Sequence, residues 1–328
     1  RDDLKDNGTN GEVTISVVVP NAPTVRSAEN PGDGTLVNRC ILEIYENDEL
    51  YGERMYADIT PGSLTAQFSA RLVTDHTYTF VFWADHAEGS AETGYTELYY
   101  NTANGLSDIR LITDEYVNNN DERDAFYLTE SKTITSAEDL NFTLRRPSGQ
   151  VNLVATDLTS LPSDFDFSNI TVKVGFTEVP AGFNALTGEI TEERTVIDPV
   201  SFSVPVDFPA VGETPADEAR ASFDYIFANV GTDQTLLNFT YEFQNNGTAI
   251  STGGYDNFPV LQNYRTNLKG ALFTDGIDIT VNIDPILIDP ENPQPGELVE
   301  ATIAEFLAAE TSTDTWYKLT GTITNIAN

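Results

Sequence analysis

Hydrophobic and polar positions alternate with a period of two along most of this chain. Val13, Ile15, Val17 and Val19 alternate with Thr14 and Ser16 up to Pro20, which predicts a half-buried strand. Pro23 to Gly34 reads as a loop. Asn38–Glu46 and Glu49–Tyr56 flank Asn47-Asp48 and read as a hairpin, since Asn and Asp accept the backbone of a tight turn. Leu64, Ala66 and Phe68 alternate again. The run Tyr78-Thr79-Phe80-Val81-Phe82-Trp83 is apolar on both faces, which predicts a strand central to its sheet. Residues 85–122 are polar, with Tyr95–Tyr100 as a short edge strand. Asp108-Ile109-Arg110-Leu111-Ile112 fits a short helix or a strand. Asp124–Thr129 and Leu140–Leu144 close this first block.

Arg145-Arg146-Pro147-Ser148-Gly149-Gln150 separates it from a second block that starts on Val151-Asn152-Leu153-Val154. Proline followed so soon by glycine is read as a break in the strand ladder. Ile170, Val172, Val174 and Phe176 alternate with Thr171, Lys173 and Gly175. Phe223, Tyr225 and Phe227 form another face. Leu237, Phe239, Tyr241 and Phe243 alternate with Asn238, Thr240 and Glu242 and run into the turn Asn245-Asn246-Gly247. Ile277, Ile279, Val281 and Ile283 end the block before Pro285. Gly253-Gly254 and Gly32-Asp33-Gly34 read as turns. Short strands at this spacing, punctuated by turns, predict an antiparallel sandwich or barrel in each block.

Asp289 to Gly296 carries three prolines and reads as a stiff linker. Beyond it Thr302-Ile303-Ala304-Glu305 has capping-box spacing, and Ile303, Phe306 and Leu307 share one helical stripe. Tyr317, Leu319, Gly321 and Ile323 then alternate as a strand. One helix and one strand make no core alone. The expected organisation is a polar segment 1–10, a β-domain 11–146, a second β-domain 147–287, a Pro-rich linker 288–298 and a helix-strand tail 299–328.

Composition narrows the chemistry. The 328 residues include 52 acidic and 17 basic side chains, a net charge of −35. Such a charge repels phosphate backbones and anionic lipid surfaces, so no nucleic-acid partner is expected. The 40% hydrophobic content, with 18 Phe and 14 Tyr, is that of a globular chain. The single Cys40 excludes an intrachain disulfide, and its apolar neighbours place it in a core. No apolar run approaches the ~18 residues of a membrane span. Arg1-Asp2-Asp3 is expected to open a mature or trimmed chain whose export or lipid signal has been removed.

Candidate catalytic groups are few. His76 and His86 bracket one strand, and ten residues at ~3.3 Å each hold them roughly 33 Å apart. They cannot share a metal or act as one acid–base pair. No nucleophile elbow, phosphate loop or dinucleotide fingerprint is present, and neither catalytic residues nor a cofactor is expected. Asn118, Asn120, Asp121, Glu122 and Asp124 form an oxygen-rich cluster that calcium would accept. It lacks the spacing and glycine of an EF-hand loop, and a solvated loop is its plain reading. Tyr95, Tyr99 and Tyr100, in a polar stretch, are candidate glycan contacts; Trp83 is expected to be buried. The strand of Tyr317, Leu319 and Ile323 has no visible partner in the sequence, so it reads as part of a truncated domain or as a donor strand for a neighbouring subunit.

Arg39-Cys40-Ile41-Leu42-Glu43-Ile44-Tyr45, Tyr78–Asp85 and Asn141-Phe142-Thr143-Leu144-Arg145-Arg146-Pro147 resemble the fimbrillin-like (type V pilin-related) surface lipoproteins of Gram-negative gut and oral anaerobes. Asn263-Tyr264-Arg265-Thr266-Asn267-Leu268 and Asp278–Pro285 resemble their closing strands, so the likeness spans roughly 11–287. The resemblance implies an all-β chain of two tandem transthyretin-like sandwiches, export to the cell surface and outer membrane, and a lipid-anchored precursor. It implies a fimbrial, adhesin or accessory role with other fimbrial subunits or a host surface ligand as partners, and no catalytic residues. The tail 302–326 resembles the opening of an OB-like domain appended to such lipoproteins. The alternative is a surface module that binds glycans or host protein.

Overall fold

A computed structural model describes residues 10–20, 32–137, 139–230, 234–274, 280–285, 298–302 and 316–320. The protein is all-β. Among the described residues helical structure is confined to three 3-10 turns, Asp121–Arg123, Leu158–Ser160 and Phe167–Asn169.

The first block folds as two facing sheets. In one, Asn10–Val18 lies between Thr65–Val73, antiparallel to it, and Asp139–Thr143, parallel to it. In the other, His76–Asp85 lies between Phe126–Ile134 and Arg39–Glu46, and Arg39–Glu46 also pairs with Glu49–Leu50 and Met55–Asp58. The period-two pattern explains the packing. Val13, Ile15 and Val17 from one sheet meet Cys40, Leu42, Phe80 and Phe82 from the other. Phe142 closes the contact with its ring 4.9 Å from Phe82 and 5.3 Å from Phe80. Asn47 and Asp48, both at positive φ, make the predicted two-residue turn.

The second block repeats the plan. Ala219–Phe227, Ser148–Ala155, Tyr264–Gly270 and Thr280–Pro285 form one sheet, in which Ser148–Ala155 and Tyr264–Gly270 run parallel. Arg194–Ile197, Ile170–Pro180, Thr235–Asn245 and Thr248–Val260 form the other. Asn246 (φ 49°) and Gly247 (φ 76°) join the last two strands as expected. Among the described strands, the sheets of each half thus contain one parallel pairing and are otherwise antiparallel.

Several local expectations are corrected. Gly149 marks no break: it lies inside Ser148–Ala155, where a Cβ would sit 2.5 Å from the Leu261 carbonyl oxygen. Only Leu144–Pro147 intervenes between the halves. Gly253 and Gly254 are not a turn but lie within Thr248–Val260, where Gly253 leaves room for the Tyr241 ring. A strand glycine used for close approach looks the same in sequence as one used to turn. Asp108–Ile112 resolves as a strand, Ile109–Leu111, and the Tyr95–Tyr100 edge strand as two short ones, Gly94–Glu97 and Tyr100–Asn101.

In the tail, Thr302 ends a strand, Leu298–Thr302, and the rest of the capping-box segment, Ile303-Ala304-Glu305, lies outside the described residues. That strand pairs in parallel with Trp316–Thr320, so the segment carrying Tyr317 and Leu319 has a partner within the chain. The proposed helical stripe of Ile303, Phe306 and Leu307, most of the linker 288–298, the donor-strand position Ile323 and residues 1–9 lie outside the described residues.

Candidate functional site

The stretch 85–122 reads in sequence as polar, with a short edge strand at Tyr95–Tyr100, yet residues from it join the two halves. His76–Asp85 is apolar on both faces because it serves two cores. Tyr78, Phe80 and Phe82 point into the first sandwich, whereas Val81 and Trp83 point away, into a third cluster. That cluster adds Ile41, Tyr100, Ile109 and Tyr127 from the first half to Phe183, Ala185 and Phe227 from the second. Trp83 meets Tyr100 edge-on at 5.3 Å, and Tyr127 meets Phe183 edge-on at 4.7 Å, the geometry favoured by aromatic quadrupoles. A small sheet with strands from both halves accompanies it, in the order Glu189–Ile190, Gly182–Asn184, Ile109–Leu111, Tyr100–Asn101.

Beside this core, residues 116–124 stitch into the second sandwich. The Asn118 amide satisfies both backbone groups of Val174: Val174 N–H donates to Asn118 Oδ1 and Asn118 Nδ2 donates to Val174 O, each at 2.9 Å. Asn118 Nδ2 also reaches the Asp224 carboxylate at 3.1 Å, and Tyr116 Oη donates to it at 2.8 Å. Asn119, at φ 61°, exchanges bonds with Phe223: its Oδ1 accepts from Phe223 N at 2.9 Å, and its own N–H donates to Phe223 O at 3.2 Å. Asn tolerates this left-handed backbone better than most residues. Asn120 caps the Asp121–Arg123 turn by accepting from Glu122 N. Asp121 accepts from Tyr225 Oη at 2.5 Å and Gly32 N at 2.8 Å. Arg123 lies over the rings of Tyr116 and Tyr99, 3.9 and 4.8 Å from their centroids.

Two forked ion pairs are buried in the same region. Arg146 grips Asp124 through two bonds of 2.7 Å and the Gly32 carbonyl at 2.6 Å. Arg39 grips Asp85 at 2.7 and 2.6 Å, and Trp83 Nε1 donates to the same carboxylate at 2.9 Å.

The residues considered for calcium therefore spend their oxygens on protein donors. Asn118 and Asp124 are buried, and Glu122 accepts from the Tyr99 hydroxyl. Among the described residues no group of three or more His, Cys, Asp or Glu is arranged to hold a metal ion. The tyrosines separate. Tyr100 is buried at 2% exposure, its hydroxyl on the Arg123 carbonyl, which corrects its reading as a surface platform. Aromatic character in a polar run cannot distinguish a platform from a plug. Tyr99 is half-buried against the segment 116–124, which forms a clasp between the two halves. Tyr95 is half-buried at the first sandwich, its hydroxyl bonded to Asp58 and its ring 6.1 Å from Tyr56. Cys40 and Trp83 are buried, and burial raises the Cys40 thiol pKa. His76 contacts Glu46 at 2.5 Å, and His86 contacts the Leu36 carbonyl at 2.7 Å.

Burial dominates the electrostatics of the clasp. It pushes Asp224 up to about 7 against the opposing hydrogen bonds of Asn118 and Tyr116. It pushes Asp121 up to about 6, reinforced by the charge on Asp124. Both carboxyls hold their proton more tightly folded than unfolded. Between the ordinary value of 3.8 and about 7, the folded chain keeps protons the unfolded chain has released. Stability therefore falls as pH rises across that window, and the self-repulsion of the −35 charge acts in the same direction. Stability is expected to be greater at about pH 5.5 than at about pH 8, by on the order of a few kcal/mol, read out as a higher melting temperature at the acid end. Asp224→Asn should flatten the profile. A melting temperature that climbs from the acid to the alkaline end would refute the assignment.

Fold and clasp together define an all-β protein of two sandwiches joined through a shared aromatic core. The chain belongs to DUF6562, a family of unknown function whose model matches residues 5–322. No curated protein matches it. Among solved structures it is similar to a candidate polysaccharide binding protein (DUF1812) of Bacteroides thetaiotaomicron, at 12% identity and TM-score 0.49, covering 85% of this chain and 99% of that one. A candidate cell adhesion protein of Bacteroides ovatus shows 12% identity and TM-score 0.46, covering 86% and 99%. The fimbrial anchor protein Mfa2 of Porphyromonas gingivalis shows 14% identity and TM-score 0.43, covering 84% and 99%.

Proposed function

We propose that this protein is a non-catalytic, adhesin-type subunit or accessory lipoprotein of a fimbria-like assembly at the cell surface, and that it acts through strand addition and surface contact. The observation that carries the reading is the sheet edge Thr65–Val73. This strand pairs residue for residue with Asn10–Val18, without a bulge, and ends its sheet among the described strands. Such an edge offers backbone groups to an added strand. By contrast, the edge Thr248–Val260 contains two register shifts, paired glycines and Pro259, features that blunt pairing. Buried ionisable groups support the reading too, because Arg39, Asp85, Asp124 and Arg146 are held in structural pairs instead of facing a cleft.

The test is assembly of the purified chain. Sedimentation should show concentration-dependent growth, with filaments by negative-stain microscopy, and amide hydrogen exchange of 65–73 should slow in the assembled fraction. A monomer at every concentration, with exchange at that edge unchanged, would sink strand addition between copies.

A further inference from the structure

The edge strand Thr65–Val73 is closed at both ends and open in the middle. In an antiparallel ladder alternate residues turn their backbone groups to opposite sides. Thr65 O accepts from Thr60 N at 2.9 Å, and Val73 N donates to Tyr78 Oη at 3.0 Å. These groups point away from Asn10–Val18, so those of Gln67, Ser69 and Arg71 do too. The Arg71 carbonyl receives only the Tyr51 hydroxyl, at 3.5 Å. Among the described residues no other segment bonds to the backbone of Gln67 or Ser69 on that side. The open window is therefore Gln67–Arg71, long enough for one short strand.

The side chains of this window carry its selectivity. Gln67, Ser69 and Arg71 lie on the exposed outer face, whereas Ala66, Phe68 and Leu72 face the core. None of the three exposed residues is acidic, in a chain of 52 acidic and 17 basic residues. Among the described residues of 32–274, Arg71 is the one Lys or Arg whose side chain makes no hydrogen bond, ion pair or ring contact. Glu12 stands across from it on Asn10–Val18 but makes no ion pair with it. A guanidinium left unengaged beside open backbone groups can face a carboxylate on a strand laid along its other side.

We infer that the window Gln67–Arg71 takes an extended acidic segment of polypeptide, whose backbone completes the ladder and whose Asp or Glu lies beside Arg71. The inference rests on the strand-addition reading and names the partner that this edge selects. The pull is local. At about 0.15 M salt, charges more than ~8 Å away are largely screened, so Arg71 outweighs the distant carboxylates behind the net charge of −35. A cation placed only to keep other strands away would show no preference for an acidic partner, and experiment separates the two roles.

The experiment adds capped peptides of about six residues to the full chain. They alternate Val with Thr and carry Glu, Gln or Lys at one Thr position. Fluorescence anisotropy reads binding, and hydrogen exchange at 67–71 reads its place. The Glu peptide should bind about two- to fivefold more tightly than the Gln peptide, and the Lys peptide more weakly by a similar factor. Arg71→Glu should reverse that order. Ser69→Pro removes one open N–H and should weaken all three peptides by about tenfold. Melting curves check the fold, and the exposed Arg71→Glu still decides if Ser69→Pro unfolds. Equal binding of the three peptides, a preference for Lys, or an order unchanged in Arg71→Glu would overturn the acidic selection and leave strand addition standing. No binding by any peptide, with exchange at 67–71 unchanged, would instead remove strand addition at this edge and the inference with it.

Discussion

Arg146→Ala is expected to destabilise the protein by ~3–5 kcal/mol, the range found when one partner of a buried ion pair is removed. Arg146 is fully buried, its guanidinium forks onto Asp124, it donates to the Gly32 carbonyl, and it lies 4.5 Å from the centroid of the Phe126 ring. Its loss strands the Asp124 carboxylate in a dry site that already contains Asp121, whose own pKa the Asp124 charge raises. It also leaves the Gly32 carbonyl without that donor. Against a typical total of ~5–15 kcal/mol, this is a large share of the stability. Urea denaturation would show a lower midpoint. The companion double variant Arg146→Met/Asp124→Leu removes both charges and should regain most of the loss, because a buried pair is seldom worth more than the apolar groups that replace it. A single variant that loses less than ~1 kcal/mol would mean that water reaches the pair and that its burial is not what it appears from the packing.

Trp83→Ala should cost a similar ~3–5 kcal/mol, for a different reason. The indole is wholly buried and touches both halves, with Tyr100 at 5.3 Å on one side and Phe227 at 6.3 Å on the other. Truncation opens a cavity in the shared core and removes the indole donor from Asp85. The readout should distinguish the shared core from either sandwich core. Hydrogen exchange should speed at 100–111 and 182–190, the segments of the bridging sheet, before it speeds in Asn10–Val18 or Thr235–Asn245. Trp83→Phe keeps most of the volume but drops the N–H, and it should lose roughly the 1.5–3 kcal/mol of a bond to a charged group. Uniform acceleration across all three cores in Trp83→Ala would show that the halves unfold as one unit.

The legible parts of the fold are those that obey a local rule. Val13, Ile15 and Val17 face inward because strand side chains alternate, and Asn246-Gly247 turns because both residues accept positive φ. The double-sided apolar run at Tyr78–Trp83 signalled a central strand, and it is one. The run also contained a stronger statement, that a second core lies on its far side, but the period alone names no partner. Gly149 and Gly253 misled for a related reason. Their smallness serves Leu261 and Tyr241, residues more than one hundred and roughly ten positions away in sequence, respectively, and no local signal records such a neighbour.

The candidate sites divide along the same line. The acidic and amide residues at 118–124 announced oxygen-rich chemistry, but whether those oxygens face a cation, water or backbone amides depends on what docks against them. Here Val174, Phe223 and Tyr225 from the second sandwich do so. Cross-strand neighbours such as Arg220 and Lys269 on either side of Val154 were invisible in sequence, because strands far apart in the chain bring them together.

By itself the sequence determined the all-β character, the inward faces of the main strands, the tight hairpin turns and the scarcity of catalytic side chains. These follow from period-two patterning, turn propensity and composition, each of which acts over a few residues. Only the tertiary structure decided the parallel first-to-late strand pairing in each half, the aromatic core between the sandwiches, and the burial of Arg146 and Tyr100. Those depend on contacts between segments distant in the chain, where the free energy comes from removing paired surfaces from water, and such a pairing is written in no single stretch.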